Sequence, residues 1–160
     1  MVTAGVYLLI RLSPIFSLTP ITLTFISIIG ALTAFFAASS GLVQNDVKRV
    51  IAYSTSSQLG YMVLACGLFY FDLSFFHLIN HAFFKALLFL CSGVIIHSFF
   101  NQQDIRYMGG FISFLPFVYS VFLIGSLSLA GFPFLTGFYS KDLILEYGLN
   151  VFSISSYFVF

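Results

Sequence analysis

Three side chains capable of proton chemistry recur at a fixed spacing inside one apolar stretch: His77, His81 and Lys85 in LSFFHLINHAFFKALLFLCSGVIIHSFF, residues 73–100. On an α-helix each step of four residues turns the side chain by only about 40°, so the three form one polar stripe among Phe, Leu, Ala and Ile. About 20 apolar residues at a rise of ~1.5 Å cover a hydrocarbon core of roughly 30 Å, and this stretch is long enough to cross it. An ammonium at the bilayer centre costs from about 3 to more than 10 kcal/mol unless it faces protein, water or a counter-charge. Lys85 therefore reads as functional; the plainer alternative has it snorkelling to an interface while the histidines bond neighbouring carbonyls. Removal from water disfavours the charged form of an amine. Histidine adds two ring nitrogens and an ordinary pKa near neutrality. Proton transfer is the chemistry these types and spacings offer.

A second group lies at GFPFLTG, residues 131–137. Pro133 removes a backbone donor, while Gly131 and Gly137 permit angles a helix forbids, so a broken helix is expected. Irregular backbone at membrane depth survives only where protein or water satisfies it, and transporters place such breaks at ion sites. Lys141 follows at once as a second candidate buried cation, with Asp142 and Glu146 as an acidic i, i+4 pair read as supporting or interfacial groups. Two charges about 10 Å apart at an effective dielectric of about 20 interact by about 1.7 kcal/mol, so one protonation biases the next. His77, His81 and Lys85 read as part of a lateral proton wire with Lys141 gating its exit. His97, about 120° round the helix from Lys85, reads as a mouth residue or a structural bond.

The elements that must hold these groups follow from hydropathy. Residues 1–10 read as the end of a helix closed by Arg11 and Pro14, and residues 21–43 as an uncharged span. The small residues of that span (Gly30, Ala31, Ala34, Ala37, Ala38, Ser39, Ser40, Gly41) suit close helix contacts. A polar turn, QNDVKR, leads to a span over residues 50–71 carrying the hydroxyl and amide cluster YSTSSQ, residues 53–58, with Ser54 in it. Such groups hold water or, more commonly, bond across helices. Asp72 marks the turn into the Lys85 span, which leaves through the hydrophilic NQQDIRYMGG; a further span runs from near Phe111 to Ala130. If these spans alternate, Lys48, Arg49 and Arg106 share one side and Arg11 lies on the other, favouring the first as the negative or matrix side.

Of the 160 residues 60% are hydrophobic and 7% charged, against about 25% charged in a soluble domain. The fold class is an all-α membrane protein, about four full transmembrane helices plus partial ones at both ends, forming a single region over residues 1–160. A net charge of +1 leaves no nucleic-acid footprint and no basic membrane-surface patch. Gly-rich phosphate loops, nucleophile elbows and metal-ligand spacings are missing from the sequence. Cys66 and Cys91, 25 positions apart with no CxxC, read as small buried hydrophobes. The opening MVTAGVYLLIRLSP lacks a basic region before its apolar run and is not expected to be a signal peptide. Both ends read as cut from inside a bundle, so a fragment or a split-gene product is expected.

Several stretches carry a resemblance: NDVKRVIAYSTSSQLGYM, FHLINHAFFKALLFLCSG, QDIRYMGG and GSLSLAGFPFLTGFYSKD, together with the opening MVTAGVYLLIR. They closely resemble the subunit 5 family of the proton-pumping NADH:ubiquinone oxidoreductase, respiratory complex I, over almost the whole chain. HAFFKALLF alone is shared with other antiporter-like subunits and with multisubunit sodium/proton antiporters, whereas QDIRYMGG with GFPFLTGFYSKD is more specific.

The resemblance implies an antiporter-like helical bundle of two inverted five-helix repeats, each with a broken helix. This chain then corresponds to the second repeat and its half-channel. Lys85 takes the place of the central channel lysine, His77 and His81 those of the channel histidines, and Lys141 that of the lysine on the second broken helix, with Asp142 beside it. The acidic residue, lysine and histidine of the first half-channel are missing from this chain, as is the long lateral helix downstream. Another polypeptide would have to supply them. The implied function is proton translocation in the membrane arm, coupled to distant electron transfer; alternatives are a subunit of a sodium/proton antiporter or a non-conducting structural fragment. No flavin, iron–sulfur cluster or quinone site is implied, and no cofactor or metal is expected. The implied partners are the other membrane-arm subunits and the lipid bilayer. The 23 Phe residues fit an AT-rich mitochondrial genome, which favours the mitochondrial inner membrane over a bacterial plasma membrane.

Overall fold

A computed structural model describes residues 2–158. In chain order the helices are α1 (Val2–Arg11), α2 (Ser13–Phe16), α3 (Pro20–Leu42), α4 (Val47–Gly67), α5 (Phe71–Ser98), α6 (Phe111–Phe114), α7 (Pro116–Ala130) and α8 (Leu143–Phe158). A short 3₁₀ turn, Ile105–Tyr107, precedes α6, and a π-helical turn, Phe138–Asp142, runs into α8. The protein is an all-α membrane protein. Among the described residues, α3 and α5 are both long and apolar enough to cross a membrane. The 21-residue α4 has the length, but its hydroxyl and amide groups lower its hydropathy, and Ser57 and Gln58 among them are buried.

Small residues bring α3 and α4 into close antiparallel contact. A side chain added at Gly30 would meet the Leu64 backbone at 2.5 Å, and one at Gly60 would meet that of Ala34 at 2.6 Å. Of the small residues read as contact positions, Gly30, Ala34 and Ala37 are buried here, while Ala31, Ala38 and Ser39 face outward. The antiparallel pair α4 and α5 forms the centre. Val6 of α1 packs with Leu59 and Met62 in the apolar core. On the far side of α5, Gly125 of α7 sits where a Cβ would lie 2.6 Å from Leu87. Cys66 and Cys91 are free and buried, as small hydrophobes would be.

Several segment boundaries differ from expectation: α4 ends at Gly67, and α5 begins at Phe71, which puts Asp72 in its first turn instead of in the turn before it. Helix α4 begins at Val47, which places Lys48 and Arg49 in its first turn, because an antiparallel bridge of Asp46 with Asp104 ends the preceding extended backbone. That bridge, with Val47 N–H donating to Gln103 O at 3.0 Å and Ile105 N–H to Asn45 O at 2.9 Å, joins two loops across the helix pair. It brings Lys48, Arg49 and Arg106 to one side, while α1, running parallel to α4, points Arg11 towards the other. The span expected from Phe111 to Ala130 is divided at Leu115, whose φ of −137° and ψ of 66° leave the helical region. Pro116 causes this: its ring drives the preceding residue out of the α conformation and it offers no N–H.

Candidate functional site

Helices α4 and α5 are joined by a seam of polar contacts that steps along both at helical spacing. Ser74 donates to Met62 O at 2.9 Å, His77 lies 3.0 Å from Gln58 Oε1, and Lys85 Nζ donates to Ser54 Oγ at 2.5 Å and to Ile51 O at 3.1 Å. On α5 the partners advance by three and then eight residues, and on α4 they retreat from 62 to 58 and then to 54 and 51, as two antiparallel helices with one facing stripe each must do. Burial is nearly complete for the stripe: 0% exposure at His77, 3% at His81 and 8% at Lys85.

Lys85 is held by neutral dipoles. The Ile51 carbonyl that it meets also accepts the hydroxyls of Ser54 at 2.9 Å and Thr55 at 2.8 Å, which concentrates donors on one oxygen in the second turn of α4. Among the described residues the ion pairs are Arg49 with Asp46 at 3.0 Å, at the start of α4, and Arg106 with Asp104 at 3.6 Å, in the loop bridged to it. Beside Lys85 opens a groove of about 560 Å³ lined by Thr3, Thr55, His81, Ala82, Lys85 and Phe89 among others. His81 Nε2 is buried without a hydrogen-bond partner, its ring stacked edge-on against Phe84 at 5.4 Å between centroids.

The second group assembles at the helix break. Gly131 closes α7 with a φ of 91°, its N–H and that of Phe132 turning back to Leu127 O in the left-handed cap that glycine accepts readily. A Cβ at Gly137 would run into the Ser128 carbonyl, so the chain returns against the end of α7 only because residue 137 has none. The π turn that follows presents Ser140 inward and Lys141 back towards the break. Lys141 Nζ donates to Ala130 O at 3.2 Å, the last carbonyl of α7, where the helix dipole is negative, and lies 5.9 Å over the Tyr61 ring. Asp142 packs against Gly131, its carboxylate 3.3 Å from where a Cβ there would be.

The structure thus brings His77 and Lys85 into one seam and ties His77 to the turn that carries Lys141. It does not join the histidines directly: the rings of His77 and His81 are 6.2 Å apart between centroids, and neither bonds Lys85. Glu146 is exposed, and His97 faces outward near the end of α5, away from Lys85, in a shallow groove with Phe89, Leu90 and Ser98. Two residues outside the expected set are central. Gln58 and Ser140 bond the two ring nitrogens of His77 at 3.0 and 2.9 Å. Gln58 was visible as the last residue of YSTSSQ, and the positions 51, 54, 58 and 62 lie on one helical face.

The model of the family described as "NADH:quinone oxidoreductase/Mrp antiporter, TM" matches residues 1–160. The chain belongs to this family. Among relatives, proteins named NADH-ubiquinone oxidoreductase chain 5 are 63% identical in Phytophthora infestans and 58% identical in Arabidopsis thaliana, each over all of this chain and 24% of the relative. The one from Metridium senile is 65% identical over 91% of this chain, again 24% of the relative. The chain spans about a quarter of the length of the curated relatives it matches. The break at residues 131–137 and the seam of α4 and α5 both lie within the matched residues.

Proposed function

We propose that this chain provides a half-channel for protons in the membrane arm of NADH:ubiquinone oxidoreductase, in the mitochondrial inner membrane. It works beside the other membrane-arm subunits and the polypeptide that supplies the rest of the antiporter-like bundle. The observation that carries the reading is Lys85: an amine in the middle of a 28-residue helix, 8% exposed, held by a serine and a carbonyl with no carboxylate on it. A permanently charged structural lysine is normally paired at such a position, because an isolated buried charge is costly. An amine that gains and loses a proton needs acceptors that serve both forms, and a hydroxyl does this as acceptor or donor.

The likeness to NADH-ubiquinone oxidoreductase chain 5 supports a coupled complex over a free-standing exchanger. Protons reach Lys85 through the groove it shares with His81. They pass on to the turn of Lys141, whose ammonium donates to the carbonyl end of α7 and to which Ser140 ties His77. Redox energy arrives from elsewhere in the complex, and the chain itself moves protons.

The test uses the assembled complex. Lys85→Ala and Lys141→Ala are each expected to slow proton translocation by roughly 100-fold through this subunit, the low end of what a positioned proton-transfer group contributes. Unchanged translocation per NADH oxidised, in complex of normal abundance, would sink the relay and leave an anchoring bundle. Proton movement driven by a sodium gradient without NADH would favour the exchanger.

A further inference from the structure

The relatives are about four times as long as this chain, so a surface groove here says little about its occupant. The surroundings of His77 are different. His77 and Ser140 are 0% exposed and Gln58 is 3% exposed within this chain alone, so added polypeptide leaves them enclosed.

Counting hydrogens at this site narrows its chemistry. With the Gln58 amide turned so that its oxygen lies 3.0 Å from Nε2 of His77, that nitrogen is the donor and carries a proton. Nδ1 lies 2.9 Å from Ser140 Oγ, and that same hydroxyl lies 3.1 Å from the carbonyl of Thr136. Serine has one hydrogen for two acceptors. With a neutral ring, Ser140 gives its hydrogen to Nδ1 and leaves Thr136 O. With an imidazolium, Nδ1–H donates to Ser140 Oγ, and the hydroxyl hydrogen turns to Thr136 O. The bond from Nε2 to Gln58 is the same in both states, and an amide oxygen is far too weak a base to take that proton.

We propose that His77 exchanges its proton at Nδ1 alone, through the Ser140 hydroxyl, while Gln58 is a positioning residue that holds the other ring nitrogen protonated. In the step, the hydroxyl hydrogen moves to Nδ1 as a proton arriving on Ser140 Oγ replaces it and then points to Thr136 O; the ring gains one positive charge and the hydroxyl is restored. Loss of the proton runs the same sequence backwards. His77 is thereby tied to the π turn of Lys141 and loads and unloads on that side, so a proton from the Lys85 and His81 side reaches the turn by way of Ser140.

This rests on the relay reading above, and the experiment separates the two. In the assembled complex with the full-length subunit, Ser140→Ala is expected to slow proton translocation by roughly 100-fold, with Ser140→Thr, which restores the hydroxyl, close to wild type. Equal rates for Ala and Thr would overturn the role of the hydroxyl. If threonine prevents assembly, Ser140→Cys takes its place: its weak S–H donor gives a rate between wild type and Ala, and a rate equal to Ala overturns the proposal. Gln58→Glu puts a proton acceptor on the capped nitrogen and is expected to raise passive proton leak several-fold in proteoliposomes, while Gln58→Met does not; equal leak in the two rejects the capping role. Lys85→Ala is the reference. If it slows translocation while Ser140→Ala does not, the relay stands and this inference fails; if neither does, both fail.

Discussion

The two lysines solve the same problem in opposite ways. Lys85 sits on an unbroken helix and reaches across to a neighbour, where a serine hydroxyl and the Ile51 carbonyl receive it. Lys141 sits on a π turn and reaches back to a helix end, where the free carbonyl of Ala130 and the Tyr61 ring receive it. Lys85 is buried, whereas Lys141 is half-buried. The first site is built from a serine side chain and one carbonyl within α4, which packing of the two helices brings within reach. The second is built from a helix end, whose last carbonyls have no partner within the helix and can take a cation. A reorientable hydroxyl receives the first ammonium and a fixed helix terminus the second. The pair is therefore asymmetric before any partner is added.

The largest effect is expected from destroying the backbone site. Gly137→Ala drives a Cβ into the Ser128 carbonyl, and neither group is a flexible tip that can move away. A cost of about 3 kcal/mol or more follows, the range of severe backbone and overpacking lesions, with loss of assembled complex read as its abundance on native gels. Gly93→Ala on α5 has nothing within 4 Å of the new methyl group. It should stay within about 0.5 kcal/mol of wild type or gain slightly from better helix propensity. Equal abundance of the two variants would mean that the break is not held by the contact at residue 137.

Ser54→Ala comes next and attacks the side-chain site. It removes one of the two acceptors of Lys85 and leaves Ile51 O, and hydrogen bonds to charged groups contribute about 1.5–3 kcal/mol. Proton translocation is expected to slow by roughly tenfold or more, with Ser54→Thr restoring it, measured as acidification coupled to NADH oxidation. The counterpart at the other lysine is milder. Tyr61→Leu removes a ring 5.9 Å from Lys141 Nζ, and cation–π contacts are worth about 0.5–2 kcal/mol depending on desolvation. A larger effect from Tyr61→Leu than from Ser54→Ala would reverse the assignment of which site depends on side chains.

Legibility in the sequence followed the same division. The stripe of His77, His81 and Lys85 repeats within one helix, so spacing alone placed all three on a face, and the structure buries that face. Gly131, Pro133 and Gly137 announced the break because their effects are local. The division at Leu115 was equally local, and Pro116 was its unread signal. What spacing could not supply was who faces whom. Gln58 and Ser140 come from elements 82 positions apart and meet at His77 only through the register of α4, α5 and the π turn. A stripe of three was therefore read as a wire, although its members do not bond one another and their hydrogen bonds run sideways into α4 and the π turn.

The smallest effect should come from the charges that look most like structural locks. Asp46 pairs with Arg49, and Asp104 with Arg106, at the end of α4 nearest Lys85, with arginine side chains 69% and 64% exposed. Exposed pairs contribute about 0.2–1 kcal/mol, and salt screens them. The two loops are also held by the backbone bonds from Val47 to Gln103 O and from Ile105 to Asn45 O, which a side-chain change leaves in place. Asp46→Asn with Asp104→Asn should thus lower stability by no more than about 1 kcal/mol and leave proton translocation unaltered. If the double variant instead slowed translocation as Ser54→Ala does, the lysine on the unbroken helix would depend on its loop frame too, and the contrast with Lys141 would narrow to the carbonyl of Ala130 alone.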